Sequence, residues 1–334
     1  MAVFLLRRAL WALLVIWAVS LITFTLSRVV PADPAAFVAG LGATRSQIAT
    51  VRKEMGLDRP LPAQYTSYVR GLVKLDLGTS IRTRRSVTAD LRHFLPATLE
   101  LILIAFAIYI ALSLTLGVLA ALHPSGMVDL LIRIGVISGS AIPVFWLAIV
   151  LQLLFYTHLG WLPIGGRIGV HESPPEFVTG FFTIDSLLDG NFALFGSVLK
   201  HLILPVTTVI LSLLAVGTRL TRATFLEELN KPYVRVAASK GLTERRILFR
   251  HVLKNALNPI ITVTSIQLAY LLAWTILIEA IFNWPGIGLY AYDSFQALDY
   301  NPIMALALLV SVAFVVINLI TDLIYPLIDP RIAR

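Results

Sequence analysis

The chain has 334 residues, 57% of them hydrophobic and 14% charged, with a mean hydropathy of +0.83, a net charge of +8 and no cysteine. Soluble domains carry about 25% charged residues, so composition excludes the two soluble domains that length alone would suggest and requires a polytopic, all-α membrane protein. The missing cysteines exclude disulfides, thiolate chemistry and Cys-ligated metal.

A membrane-crossing helix needs about 20 mostly apolar residues. Residues 1–30 hold the first, over 9–30. Arg7 and Arg8 precede it, yet its apolar run exceeds the roughly 7–15 residues of a signal-peptide core and no small-x-small cleavage site follows, so it reads as a retained span. Residues 31–95 form a loop punctuated by Pro31, Pro34, Gly40, Gly42, Pro60, Pro62, Gly71 and Gly78. Within it, SQIATVRKEMGL reads as a short amphipathic helix. A structureless loop of that length is uncommon, so a small folded cap is expected.

The core, 96–326, carries five further predicted spans at 97–121, 130–156, 201–221, 258–280 and 303–326, and 327–334 is a tail. Pro143 and Pro205 fall inside spans, where kinks are the modest reading. A second loop, 157–198, rich in Pro and Gly, is expected to fold against the cap.

The charge is unevenly placed. Between Arg219 and Lys254 nine basic residues face only Glu227, Glu228 and Glu244, whereas 281–302 contains no Lys or Arg. With Arg7, Arg8, Arg331 and Arg334 at the ends, the positive-inside rule places both termini and the 222–257 segment in the cytoplasm. Residues 31–95 would then lie outside with ten basic residues, but the rule governs short loops. The basic excess is topological, and nucleic-acid binding is a poor reading of it.

The segment 222–257 reads as helix, break, helix. Leu229, Tyr233, Val236 and the Lys240 stem fall on one stripe. Gly241 sits where a helix stops in a left-handed residue, with Leu242 as the apolar residue after it. Thr243 is placed to cap the next helix, Glu244 lies in its first turn, and Leu248, Val252 and Ala256 continue the apolar stripe. Pro259 opens the next span. Spacing leaves open whether this is a bare hairpin, an amphipathic helix on anionic lipid or a docking surface for a cytoplasmic protein.

The stretch YVRVAASKGLTERRILFRHVLKNALNPII resembles the cytoplasmic EAA loop of ABC-importer permeases. More narrowly it is similar to the B-type permease of dipeptide, oligopeptide and nickel importers, whose pattern is Y-x-R-T-A-R-A-K-G-L…H-x-L-R-N-A-L-x-P. Tyr233, Arg235, Ala237, Lys240, Gly241, Leu242, His251, Asn255, Ala256, Leu257 and Pro259 match, while Val236, Ala238 and Ser239 depart from it. The likeness continues through PADPA at 31–35, MGLDRPLPAQY at 55–65, LDLGTSIRTRRSV at 75–87, LPATLEL at 95–101, PVFWLA at 143–148, LPIGGR at 162–167, EAIFNWPGIGLYAYDSFQALDYNPIM at 279–304 and NLITDLIYPLIDPRI at 318–332.

That resemblance implies the six-span type I importer permease fold in a bacterial or archaeal inner membrane. Its implied partners are a homologous second permease in a heterodimer, two cytoplasmic ABC ATPases and an external binding protein that delivers short peptides, nickel being the alternative cargo. It implies that the hairpin rests in an ATPase groove, through Tyr233, Arg235, Ala237, Ala238, Lys240, Gly241, Leu242, Arg245, Arg246 and His251. The chain has no G-x-x-x-x-G-K-[ST] and no catalytic constellation, so no cofactor is expected in it; ATP and Mg belong to the ATPases. A self-sufficient carrier would show inverted repeats and buried charges along an ion path, and no repeat is evident.

Ionisable residues at membrane depth invite functional readings. Glu100 and Glu279 lie near the outer ends of their spans, where contact with substrate or binding protein competes with a structural role; for Glu100 that role is a first-turn position. Trp284, in Asn283-Trp284-Pro285-Gly286, reads as an interfacial anchor or gate residue. Arg133 is expected to snorkel, and Asp322 to form a structural pair. The six histidines make no His-x₃-His pair, so no metal site is expected here.

Overall fold

The computed structural model describes residues 2–29, 35, 39–40, 42–54 and 56–328. Most of PADPA and the tail with Arg331 and Arg334 lie outside the described residues. The regular secondary structure of the described residues is helical, apart from one isolated bridge between Thr79 and Ser86.

Helix α1 (Ala2–Val29) is followed by α2 (Arg45–Glu54) and α3 (Leu61–Val73), so the long first loop does contain helices, including the expected amphipathic one. Then come α4 (Val87–Leu122), α5 (Met127–Ser140), α6 (Val144–Gln152), α7 (Phe182–Leu188), α8 (Phe192–Leu229), α9 (Pro232–Ser239), α10 (Glu244–Ile247), α11 (Leu253–Ile281), α12 (Ile287–Gln296) and α13 (Tyr300–Ile328).

Among the described residues, five helical stretches are long and apolar enough to cross a membrane: Leu6–Arg28, Val87–Leu122, Phe192–Leu229, Glu244–Ile281 and Tyr300–Ile324. The expected third span is not one straight helix. Met127–Ser140 and Val144–His158 meet at 96°. Pro143 is the cause: it offers no N–H, and it turns the residue before it away from helical geometry. The modest kink expected there is a full break. Pro259, expected at a helix start, instead lies inside α11.

The helices are also longer than the predicted spans. At 1.5 Å per residue, the 38 residues of α8 reach about 57 Å against a hydrocarbon core of about 30 Å. The excess length carries the polar segments that hydropathy trims away.

The chain forms two compact units. One comprises 1–97 and 285–315. In it Tyr65 and Tyr68 of α3 pack on Phe24 of α1, and Ser20 hydrogen-bonds Tyr65. Buried Asp90 accepts from Thr83 and Tyr290, and buried Asp299 accepts from Ser80 and the Arg82 N–H.

The other unit comprises 98–284 and 316–334, with α8 at its centre, packed on α5, α6, α7 and α11. Small residues let its backbones close. A Cβ on Gly217 would lie 2.5 Å from the Tyr109 hydroxyl, and one on Gly117 2.5 Å from Cβ of Thr221. Close approach through glycine is the usual route to helix association where lipid removes the hydrophobic drive.

Candidate coupling site and the Glu100 cluster

The polar end of α8 is anchored before the hairpin begins. Asp129, in the first turn of α5, is fully buried. It takes two hydrogen bonds from Arg222 of α8, accepts from the Ser125 N–H, and has Arg133 at 3.4 Å. Six residues further on, Glu228 accepts from Lys231 Nζ at 2.5 Å and from the Tyr233 hydroxyl at 2.7 Å. Glu228 accordingly raises the Lys231 pKa, and burial, then Glu228, raises that of Tyr233. Tyr233 thus ties α9 back to α8.

The hairpin stop is as expected. Gly241 has φ +77°, its N–H donates to the Ala238 carbonyl, and the Leu242 N–H reaches back to Ala237, the paired bonds of a Schellman stop. Thr243 holds the N-cap position, but its side chain makes no capping bond; that expectation is corrected.

The buried faces differ from the predicted stripes. In α9, Val234 and Ala237 turn inward while Val236 is 52% exposed. Asn230 ends α8 and Pro232 starts a new helix, so a stripe counted from Leu229 across that break loses register. Beyond α10, the buried residues are Ile247, Val252, Ala256 and Ile260. The five-residue step from Ile247 to Val252 comes from a π-turn over Leu248–Val252. Leu248 is therefore displaced from the stripe and His251 is half-buried.

Ala237 faces the bundle, packed with Phe225, Ile247 and Val252. Arg235, Ala238, Lys240, Gly241, Arg245 and Arg246 are exposed, and Leu242 is half-buried. Arg245, Arg246, Arg250 and Thr243 surround the exposed Phe249 at a notch of about 400 Å³. The arrangement is a cationic, partly apolar surface on a rigidly seated turn.

A second cluster lies at the other end of α11. Glu100 is 1% exposed and lies well inside α4, not in its first turn, because that helix starts at Val87. One carboxylate oxygen pairs with Arg167, and the other accepts from both the N–H and hydroxyl of Thr183 at 2.7 Å. Arg167, 6% exposed, also donates to the Gly180 carbonyl and stacks 3.5 Å over the Phe182 ring. Burial lowers its pKa, with Glu100 opposing that shift.

Trp284 is fully buried 5.7 Å from the same guanidinium, so it is not an interfacial anchor. Buried Glu279 accepts from the Thr98 hydroxyl at 2.6 Å. A Cβ on Gly165 would lie 2.0 Å from the Phe282 carbonyl, which accepts the Gly166 N–H at 2.8 Å. The loop 157–198 is strapped to α4 and α11 through these contacts.

Residues 113–334 match the family of binding-protein-dependent transport system inner membrane components, and 1–102 match that system's N-terminal membrane component. The chain belongs to this permease family.

Its relatives include the probable D,D-dipeptide transport permease DdpB of Escherichia coli, 43% identical, with 98% of this chain and 97% of the relative covered. The dipeptide permease DppB of Alkalihalophilus pseudofirmus is 36% identical over 99% of both, and the di/tripeptide permease DppB of Pseudomonas aeruginosa 38% over 95% and 94%. A solved structure of the MetNI methionine ABC transporter, in inward-facing conformations, aligns with TM-score 0.52 and 14% identity, covering 70% of this chain and 93% of that one. At that identity the likeness concerns the fold.

Two members of the permease's polar framework escaped sequence reading. Asp129 carried a weak signal: an acid in a first helical turn between apolar runs. Arg167 closes the family-like LPIGGR, and a charge ending a Gly-Gly turn was the available hint.

Proposed function

We propose that the chain forms, with a homologous second permease, the path for short peptides in an ATP-driven importer. Two cytoplasmic ATPases bind ATP and Mg, and an external binding protein delivers the cargo. Both termini and the α9–α10 hairpin face the cytoplasm. Dipeptide cargo is the reading favoured by relatives that are dipeptide permeases over nearly their whole length.

The observation that carries the reading is the hairpin. Arg235, Lys240, Arg245 and Arg246 stand exposed around a glycine stop, while Ala237, Ile247 and Val252 fix it to the bundle. Such an element moves as one piece with α8 and α11. ATP biases the ATPases between states, and the hairpin passes that bias to the spans. The engaged carboxylate of Glu100 supports an anchoring role for the Glu100–Trp284 cluster, with the strapped loop as the surface offered to the binding protein.

The test is reconstitution of the assembly in proteoliposomes with labelled dipeptide, and with nickel as comparison cargo. Dipeptide uptake that needs ATP and the binding protein, and that Arg245→Glu with Arg246→Glu abolishes while leaving the complex folded, is expected. Uphill uptake by this chain alone without nucleotide would overturn the reading.

A further inference from the structure

The unit formed by 1–97 and 285–315 contains a cavity of about 370 Å³ between the end of α1, helices α2 and α3 and the turn at 76–78. It is separate in the chain from the coupling hairpin and the Glu100 cluster. We propose that it is a binding site for a small α-ammonium carboxylate zwitterion no longer than a dipeptide.

The lining is polar and charge-balanced. Arg28, Gln64 and Tyr68 are half-buried, while Glu54, Arg59 and Asp76 form an exposed rim, two guanidinium groups against two carboxylates. Three side-chain atoms in the half-buried part lack a hydrogen-bond partner among the described residues, the Tyr68 hydroxyl being one of them. Arg28 Nε is a buried donor without an acceptor, and Gln64 Oε1 a buried acceptor without a donor. Buried polar groups of this kind are uncommon unless water or a ligand completes them. A donor and an acceptor unfilled in one cavity call for a ligand with both capacities.

The positions of these groups are fixed by packing. Arg28 lies over the Phe24 ring at 5.3 Å, and Phe24 is locked by Tyr65 and Tyr68. Gln64 is oriented by its amide, which donates to the Leu57 and Arg59 carbonyls and so aims its oxygen elsewhere. The Gly71 carbonyl accepts the N–H groups of Lys74 and Asp76, and that turn sets the Asp76 carboxylate on the rim. A Cβ at Gly71 would meet the Asp76 carbonyl at 2.9 Å, so the turn tolerates no larger residue.

A guanidinium is suited to a carboxylate, so Arg28 takes the ligand's carboxylate. Gln64 Oε1 and the rim carboxylates take its ammonium. Pockets of a few hundred Å³ hold small molecules of this size. The cargo class follows from the peptide-permease reading, on which this identification rests.

The experiment uses the assembled importer in lipid nanodiscs without its binding protein. Equilibrium dialysis with labelled L-alanyl-L-alanine is compared with its C-terminal amide and N-acetyl derivative. Saturable binding of the free dipeptide is expected, weakened about tenfold or more by either block. Arg28→Gln should weaken the free dipeptide to a similar degree while leaving the amide unchanged. Asp76→Asn and Glu54→Gln, at exposed positions that do not threaten folding, should weaken the free dipeptide and leave the N-acetyl form unchanged. No saturable binding, equal binding of the blocked peptides, or binding indifferent to all three substitutions would overturn the site. ATP-driven uptake with the binding protein is measured on the same preparation: intact uptake without cavity binding rejects this site only, and absent uptake rejects the cargo reading.

Discussion

Arg222 grips Asp129 with two nitrogens, Nε at 2.6 Å from one carboxylate oxygen and Nη2 at 2.8 Å from the other. The pair joins α5 to α8 six residues before Glu228, where α9 is tied back. The helix carrying the hairpin is therefore held on the side of the broken third span. Removing the buried carboxylate leaves a largely buried guanidinium unpaired. Asp129→Ala is expected to cost about 2–3 kcal/mol, visible as a lower melting temperature of the purified complex. Asp129→Asn, which keeps the shape, should fold better yet transport fewer peptides per ATP hydrolysed. An unchanged transport-to-hydrolysis ratio in Asp129→Asn would remove the pair from the coupling route.

The Glu100–Arg167 pair makes a sharper energetic prediction because both partners are buried. Truncating one member of such a pair costs about 3–5 kcal/mol because it leaves an uncompensated buried charge, a cost that neutralising both members avoids. Arg167→Met alone should destabilise the loop 157–198 more than Glu100→Gln combined with Arg167→Met. Limited proteolysis within 168–180 reads the difference. If the double variant is the more readily cut, the pair is not what straps the loop.

Gly241 offers a test in which space plays no part. A Cβ there would meet nothing within 4 Å, so the cost of substitution comes from φ +77° alone. A left-handed conformation costs an ordinary L-residue about 1–2 kcal/mol, and Asn less. Uptake should fall in the order Gly241→Asn, Gly241→Ala, Gly241→Val. Gly241→Pro should be worst, because proline requires φ near −65° and removes the N–H bonded to Ala238. Equal uptake across the series would show that the sharp turn is not needed for coupling.

What was legible in sequence divides along physical lines. Long apolar runs announced the spans, and Gly241 followed by Leu242 announced the Schellman stop, because both depend on a few neighbouring residues. The inward stripe of the hairpin was misplaced for a local reason of another kind: Pro232 restarted the helix and a π-turn inserted one residue between Ile247 and Val252. The ion pairs were illegible because they are non-local. Glu100 meets an arginine 67 residues away, and Asp129 one 93 residues away. Trp284 misled for the same cause: its amphipathic ring fits an interface, but an arginine from a distant loop lies against it.

The same loop is expected to loosen in acid. Burial pushes the Asp185 pKa up, but hydrogen bonds from the Thr179 hydroxyl and the backbone N–H groups of Thr179, Gly180 and Val178 outweigh it, and the net direction is down. Glu172 is also lowered, by the Ser197 hydroxyl and the Gly169 N–H. A carboxylate held below its unfolded pKa contributes stability that is fully present above about pH 4 and is lost as pH falls through the folded value. Neutral pH therefore leaves the loop firm, and the loss begins below about pH 4. Hydrogen exchange at the amides of 176–190, corrected for the intrinsic pH dependence, should accelerate there in the native protein. Asp185→Asn cannot ionise, so it should exchange faster at neutral pH and show a smaller additional change in acid. An acid response of undiminished size in Asp185→Asn would move the cause elsewhere, with Glu172→Gln the next substitution to examine.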